Sequence, residues 1–354
     1  MLRATILAAF AMALALPAAQ AADPVKAAFV YVGPIGDHGW TYQHDHGRLA
    51  VEKEFGDRVE TLYVENVAEG PDAERAIERF AREGADIVFT TSFGFMNPTI
   101  KVAKRFPDVK FEHATGYKRA DNVATYSARF YEGRYIIGQI AAKMSKSGVA
   151  GYVASFPIPE VVRGINSFLL GAQSVNPDFK LKIIWVNTWF DPGKEADAAK
   201  ALIDQGADII TQHTDSPAPI QIAGERGVHG FGQASDMDAF APAAHYTAII
   251  DDWSAYYIAR VKAVLDGTWE SGDVWGGFDA DMVVMAPYTD LPEDVAADAA
   301  ALEAKIRSGE FHPFTGPIHD QDGKLRVAEG ERADDGMLLG MNWYVKGVDD
   351  KLPQ

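Results

Sequence analysis

Arg82 to Thr91 reads REGADIVFTT, and Asp204 to His213 reads DQGADIITQH. The two glycines, Gly84 and Gly206, stand 122 positions apart. The same offset lays Tyr63-Val64-Glu65-Asn66 on Trp185-Val186-Asn187-Thr188, and an offset of 123 lays Pro34-Ile35 on Pro157-Ile158. Each matched stretch touches a short apolar run of strand length. A single shared GADI is a weak signal. Three correspondences in one order describe two copies of one α/β unit.

Each copy alternates short β-rich runs with helical periodicity. In the first, Ala27–Val32, Val59–Val64, Asp86–Thr91 and Lys110–Ala114 read as strands. Arg48–Phe55, Asp72–Glu83 and Pro98–Arg105 read as helices between them. In the second, the strands are Val149–Ala154, Leu181–Val186, Ile209–Gln212 and Val228–Phe231, with helices at Val161–Val175, Gly193–Gln205 and Ile220–Arg226. A helix over Tyr131–Ser145 joins the copies. A strand at Tyr246–Ile250, a helix at Ala255–Asp266, a strand near Met282–Ala286 and a helix near Ala296–Ser308 follow. Such alternation gives parallel sheets with helices on both faces. The fold class is α/β: two similar doubly wound lobes, with a hinge and a ligand cleft between them. Residues 22–128 plus about 247–285 are assigned to the first lobe. Residues 129–246 plus about 286–354 are assigned to the second.

The amino terminus, MLRATILAAFAMALALPAAQAAD, has a cationic Arg3, a short apolar stretch from Ala4 to Leu16 and a small-x-small site at Ala19-Gln20-Ala21. This is a cleaved secretory signal, Met1 to Ala21, and it predicts a periplasmic protein. No other stretch approaches the length of a membrane span. The chain has no cysteine, so neither a disulfide nor a lipidated anchor is expected. A formal charge of -17 argues against nucleic acid and anionic membranes as partners.

The first strand runs into Gly33–Gly47, GPIGDHGWTYQHDHG, read as a strand-to-helix loop. Ligands of open α/β sheets bind at such carboxyl ends. Trp40 here and Trp189 in the second copy occupy loops of the same kind, so closing lobes would bring two indoles onto one flat ligand. Stacking on a base is worth about 1–3 kcal/mol; sugars stack on indoles too. Phe93, in Thr90–Phe95, and Phe190, beside Trp189, are further candidate walls. Asp37, Asp215 and Asp236 lie in loops at strand ends and offer carboxylates to ring N–H or amino groups. Asp236 is the favoured one. Glu132 opens the joining helix, where a carboxylate also suits the helix dipole. Packing, capping and hinge roles compete with ligand contact at each of these positions. His38, His44, Asp45 and His46 crowd one stretch without the spacing of a metal site, and no metal or cofactor is expected. No nucleophile elbow or phosphate loop is present, and the chain is read as a non-enzyme.

Six motifs carry a resemblance. They are Gly36-Asp37-x-Gly39-Trp40, Phe106-Pro107-Asp108-Val109-Lys110-Phe111, Tyr131-Glu132-Gly133 with Gly138, Met144-Ser145-Lys146-Ser147-Gly148, Gly206-Ala207-Asp208 and Asp251-Asp252-Trp253. In this order the chain resembles the basic membrane protein family of ABC-transporter solute-binding proteins, in its purine-nucleoside-binding branch. The resemblance implies a type I periplasmic-binding fold, a purine ligand held between aromatic residues of the two lobes, and a membrane permease as partner. It gives Trp40 the first stacking position, Trp189 or Phe190 the second, and Asp236 a place near the sugar side. Two family residues that look like ribose grips fall on Ala234 and Asp251 here. That departure favours a free base such as adenine or guanine. The alternatives are a nucleoside or sugar receptor, a periplasmic nucleoside hydrolase and a metal receptor.

Overall fold

A computed structural model describes residues 23–353; the expected signal, Met1 to Ala21, lies outside them. In chain order the first unit is β1 (Val25–Val30), α1 (Gly39–Phe55), β2 (Val59–Val64), α2 (Pro71–Arg82), β3 (Ile87–Thr90), α3 (Met96–Ala103), β4 (Lys110–Ala114) and β5 (Val123–Ala128). The second is α4 (Tyr131–Met144), β6 (Val149–Ala154), α5 (Pro159–Val175), β7 (Lys180–Trp185), α6 (Pro192–Asp204), β8 (Ile209–His213), α7 (Ala218–Glu225), β9 (His229–Ala234) and β10 (His245–Asp251). The remainder is α8 (Ser254–Leu265), β11 (Asp273–Gly276), β12 (Val283–Met285), α9 (Glu293–Arg307), a small hairpin of β13 (Ile318–His319) and β14 (Leu325–Val327), and α10 (Asp335–Leu339).

The repeat is the fold. One sheet runs β11-β5-β4-β3-β1-β2 and the other β12-β10-β9-β8-β6-β7, so the two copies share one strand order. All pairs are parallel except β10 with β12 and the small hairpin. Helices cover both faces of each sheet, which is why β3 is buried throughout and reads as an unbroken apolar run. Local signals start the helices. Pro71 sits at the first position of α2 with Asp72 and Glu74 in its first turn, a pairing of fixed φ with favourable dipole charge. Asp191 caps α6 by accepting from the Lys194 N–H.

Two expectations are corrected. The loop drawn from Gly33 to Gly47 ends at His38, because α1 begins at Gly39. Trp40, Tyr42, His44 and His46 are therefore helical. Two glycines in nine residues hid this; packing against α8 provides it, with the Tyr257 ring lying where a Cβ on Gly47 would be, 2.6 Å away. The lobe boundaries also shift. Residues 247–251 belong to β10 and 283–285 to β12, and both strands are in the second sheet rather than the first.

The chain passes between lobes in a reciprocal way. After β5 it enters α4, which packs on α5 of the second lobe; after β10 it enters α8, which packs on α1 of the first. The α4–α5 contact brings backbones together. A Cβ on Gly138 would lie 2.1 Å from the Phe168 carbonyl oxygen, and one on Gly171 2.1 Å from that of Tyr135. Only glycine fits at either point.

Candidate functional site

In both sheets the strand order reverses between the first and third strands of the unit. Those switch points, β1/β3 and β6/β8, face each other, and ligands of open sheets bind at such places. A narrow slot lies there, with about 370 Å³ free of protein atoms, part of it open to solvent. The first lobe lines it with Val32, Trp40, Ser92, Phe93 and Thr115. The second lines it with Glu160, Trp189, His213, Asp215 and Gln233.

Trp40 is fixed by its own lobe. Its indole N–H donates to the Thr91 carbonyl at 2.6 Å. Its ring meets Trp253 edge-on, centroids 5.5 Å apart, and His44 at 4.4 Å. His44 in turn lies flat on Trp253 at 4.8 Å and bonds the Tyr257 hydroxyl at 2.5 Å. Burial holds the His44 imidazole neutral by pushing its pKa well down. A buried aromatic shelf thus supports Trp40. Trp189 is held differently: its indole N–H donates across the cleft to Glu69 Oε1 at 3.1 Å. The lobes also meet where the Gly39 N–H donates to Ser235 Oγ at 2.6 Å.

Beneath the slot the second lobe buries charge. Arg134, fully buried, donates to Thr211 Oγ1 at 3.1 Å, to the Gln212 carbonyl at 2.7 Å and to Gln233 Oε1. Asp251, at the end of β10, is fully buried, and neither of its oxygens has a hydrogen-bond partner among the described residues. Burial pushes Asp251 well above the usual carboxylate range; Glu160 adds to this and Arg134 opposes it. Asp215 is pushed up in the same way by burial, then by Glu195 and Glu160. Burial also raises Glu160 against the pull of Arg163 and Arg134. A carboxyl kept neutral offers one O–H donor and one acceptor side by side. That pair complements the edge of a flat heterocycle with an acceptor nitrogen beside an amino group. It equally complements a ring N–H beside a carbonyl. The slot is therefore lined by a tryptophan from each lobe and by carboxyls that burial pushes up.

The slot is the middle of three compartments. Toward β2 and β7 an outer cleft is bounded by Glu69, Asn66, Trp189 and Phe190. Toward β11 a chamber shares Phe93, Thr115 and Glu160 with the slot and adds Arg163 and Trp275. It holds about 1230 Å³ free of protein atoms, part of it open to solvent.

Of the residues singled out in the sequence, Trp40, Trp189, Phe93 and Asp215 are brought together at the slot, and Phe190 lines the outer cleft beside Trp189. Three are placed elsewhere. Asp236, the favoured carboxylate, is exposed and caps its own turn by accepting from the Asp238 N–H at 3.0 Å. Asp37 is exposed and bonds its neighbour His38 at 2.7 Å. Glu132 is buried where β11 passes toward β12 and accepts from the Phe278 N–H at 2.8 Å. In their stead Glu160, Gln233 and His213 line the slot, and Asp251 is buried at the end of β10. The repeat held a signal for Glu160: the offset of 123 lays it on Asp37. Gln233 and Asp251 stand at or beside the carboxyl ends of β9 and β10, where the switch-point rule directs attention. The histidines of α1 diverge, His44 inward and His46 outward, and among the described residues no cluster of three potential ligands could hold a metal. Among those residues no helix is long and apolar enough to cross a membrane.

The profile of the Bmp family, described as ABC transporter substrate-binding protein PnrA-like, matches residues 24–312. A purine-binding protein of Brucella abortus is 65% identical over 337 residues, covering 95% of this chain and 96% of its own length. A putative glucose-binding protein of an ABC transporter from Haloferax volcanii is 39% identical over 332 residues, covering 94% of this chain and 82% of its own. Among solved structures, a solute-binding protein of an ABC transporter system from Aeropyrum pernix superimposes with a TM-score of 0.70 at 20% identity, over 84% of this chain and 93% of that one. One from Conexibacter woesei gives 0.66 at 23% identity, over 81% and 98%.

Proposed function

Because the chain belongs to the PnrA-like ABC-transporter substrate-binding proteins, we propose that it is the periplasmic receptor of an importer and carries a purine, with a free base such as adenine or guanine favoured. The observation that carries this reading is the pair of indoles, Trp40 and Trp189, one from each lobe, lining a single slot beside the half-buried carboxyl of Asp215. Two indoles able to stack suit any purine. A neutral carboxyl suits both an amino-purine and an oxo-purine edge. The name of the Brucella relative supports the same class. The buried, uncharged Ala234 and the acidic Asp251, standing where the resemblance expects ribose grips, favour the base over its riboside. Bound ligand holds the lobes together, and the joined surface is what a membrane permease reads. Nothing in this reading requires a cofactor or a bond to be broken.

A second reading, a nucleoside or sugar receptor, draws on the chamber beside the slot, which has room for a substituent, and on the glucose-binding relative. Thermal unfolding of the protein with adenine, guanine, their ribosides and glucose separates the two. A ligand at 100 times its Kd stabilises the native state by about 2.7 kcal/mol. Adenine or guanine giving the largest shift is expected. A larger shift with the ribosides, or with glucose, replaces the base reading. Trp40→Ala and Trp189→Ala are each expected to weaken base binding by about 1–3 kcal/mol in calorimetric titration. Unchanged affinity in both ends the stacking account.

A further inference from the structure

Glu69 lies in the loop after β2, at the boundary between the outer cleft and the slot. One of its oxygens, Oε1, accepts three hydrogen bonds. Two come from its own lobe: Ser92 Oγ at 2.6 Å and the Gly94 N–H at 3.2 Å. The third comes from the opposite lobe, the Trp189 indole at 3.1 Å. The carboxylate is seated tightly, since a Cβ on Gly94 would lie 2.1 Å from its Cδ. Ser92 and its neighbour Phe93 form one wall of the slot, and Trp189 belongs to the other. A single oxygen therefore ties both walls together. Its partner ring also borders the outer cleft.

The two tryptophans differ in what fixes them. Trp40 bonds Thr91 within its own lobe, so its ring is set whether or not the lobes meet. The Trp189 N–H finds its acceptor only across the cleft. We infer that Glu69 is a positioning and gating residue: it orients the Trp189 ring over the ligand once the lobes close, and it bars escape from the slot into the outer cleft. This rests on the slot being the ligand seat. The competing role, a plain brace for the turn from Ser92 to Gly94, gives an effect that does not depend on Trp189.

Adenine release is measured by stopped-flow in the wild type, Glu69→Gln, Trp189→Phe and the double variant. Phenylalanine keeps a smaller stacking face and removes the N–H, so the comparison with the double variant isolates the bond to Glu69. Each single change is expected to speed release on the order of tenfold, the scale of a hydrogen bond to a charged acceptor, with little change in on-rate. The double variant is expected to release no faster than the faster single one. Effects that multiply in the double variant, or an unchanged off-rate in Glu69→Gln, overturn the inference. If adenine does not bind the wild type, the purine reading fails and the gate is read without ligand. Spin labels at Lys104→Cys and Asp197→Cys, exposed positions of the two lobes in a chain with no other cysteine, then report lobe separation. Glu69→Gln and Trp189→Phe are both expected to lengthen the distances. Distances equal to those of the labelled wild type overturn the gate.

Discussion

Glu132 shows how a carboxylate can be buried at a helix start and lie outside the slot. Its Oε2 accepts from the Phe278 N–H, and Gly277 packs so close that a Cβ there would lie 2.3 Å away. Burial raises its pKa to about 7; the Phe278 bond and Arg129 work against that rise. The native state thus binds this proton more tightly than the unfolded chain does. Its stability contribution is complete below the ordinary carboxyl pKa and is lost as pH rises through about 7. Over that window the loss is about 3 kcal/mol at 1.36 kcal/mol per unit. Glu132→Gln keeps an acceptor for Phe278 and removes the titration. Urea denaturation is expected to show a flatter stability profile between pH 4.5 and 7 for this variant, and greater stability than the wild type above pH 7. Parallel profiles would rule this origin out. Asp215 and Asp236 make a companion lesson. Both follow strands and both precede turns, and sequence spacing does not separate them. Packing does: Asp215 lines the slot near the charges of Glu195 and Glu160, while Asp236 is exposed and accepts within its own turn.

At the scale of elements, α1 carries the most consequence. Its first residue, Gly39, has φ +82, a conformation that favours glycine, and a Cβ there would lie 2.5 Å from the Asp215 carbonyl oxygen of the other lobe. Two constraints meet in one atom: the backbone must turn the wrong way for an L side chain, and the lobes must approach. Gly39→Ala is expected to lower stability by about 1 kcal/mol. The same change is expected to weaken adenine binding by more than tenfold, because the lobes cannot close over the slot. Full affinity in a well-folded Gly39→Ala protein would show that closure does not pass through this contact. The helix itself was only half legible. Arg48–Phe55 has ordinary helical composition, whereas Gly39 to Gly47 contains two glycines and three polar aromatic residues that favour no single state. What makes it helical is tertiary: the Tyr257 ring on Gly47 and the Trp253–His44 stack under Trp40.

Across the whole molecule, each lobe is completed by a helix from the other's chain. Trp253 sits where the chain returns from β10 to the first lobe; it is fully buried among His44, Trp40 and Tyr126. Trp253→Ala is expected to cost about 3–5 kcal/mol in chemical denaturation, the usual loss for a large buried aromatic. It is also expected to weaken base binding, because the shelf beneath Trp40 goes with it. A variant that loses stability and retains full affinity would show that Trp40 holds its position without that shelf.

The sequence by itself determined the doubled α/β unit, most of its strands and the family, and it singled out the two tryptophans. These follow from local composition, short-range periodicity and a repeat offset, all of which survive in one dimension. Only the tertiary structure decided where the chain crosses between lobes, that β11 and β12 each extend a different sheet, and that α1 begins at Gly39. It also decided which carboxyls lie at the slot or are buried near it. Glu160, Asp215 and Asp251 differ from Asp37 and Asp236 in burial and in the charges around them, not in type or spacing. Some of those surroundings come from far along the chain, such as Arg134 beside Asp251, 117 positions away. Strand pairing and desolvation are long-range properties, and no window of the sequence contains them.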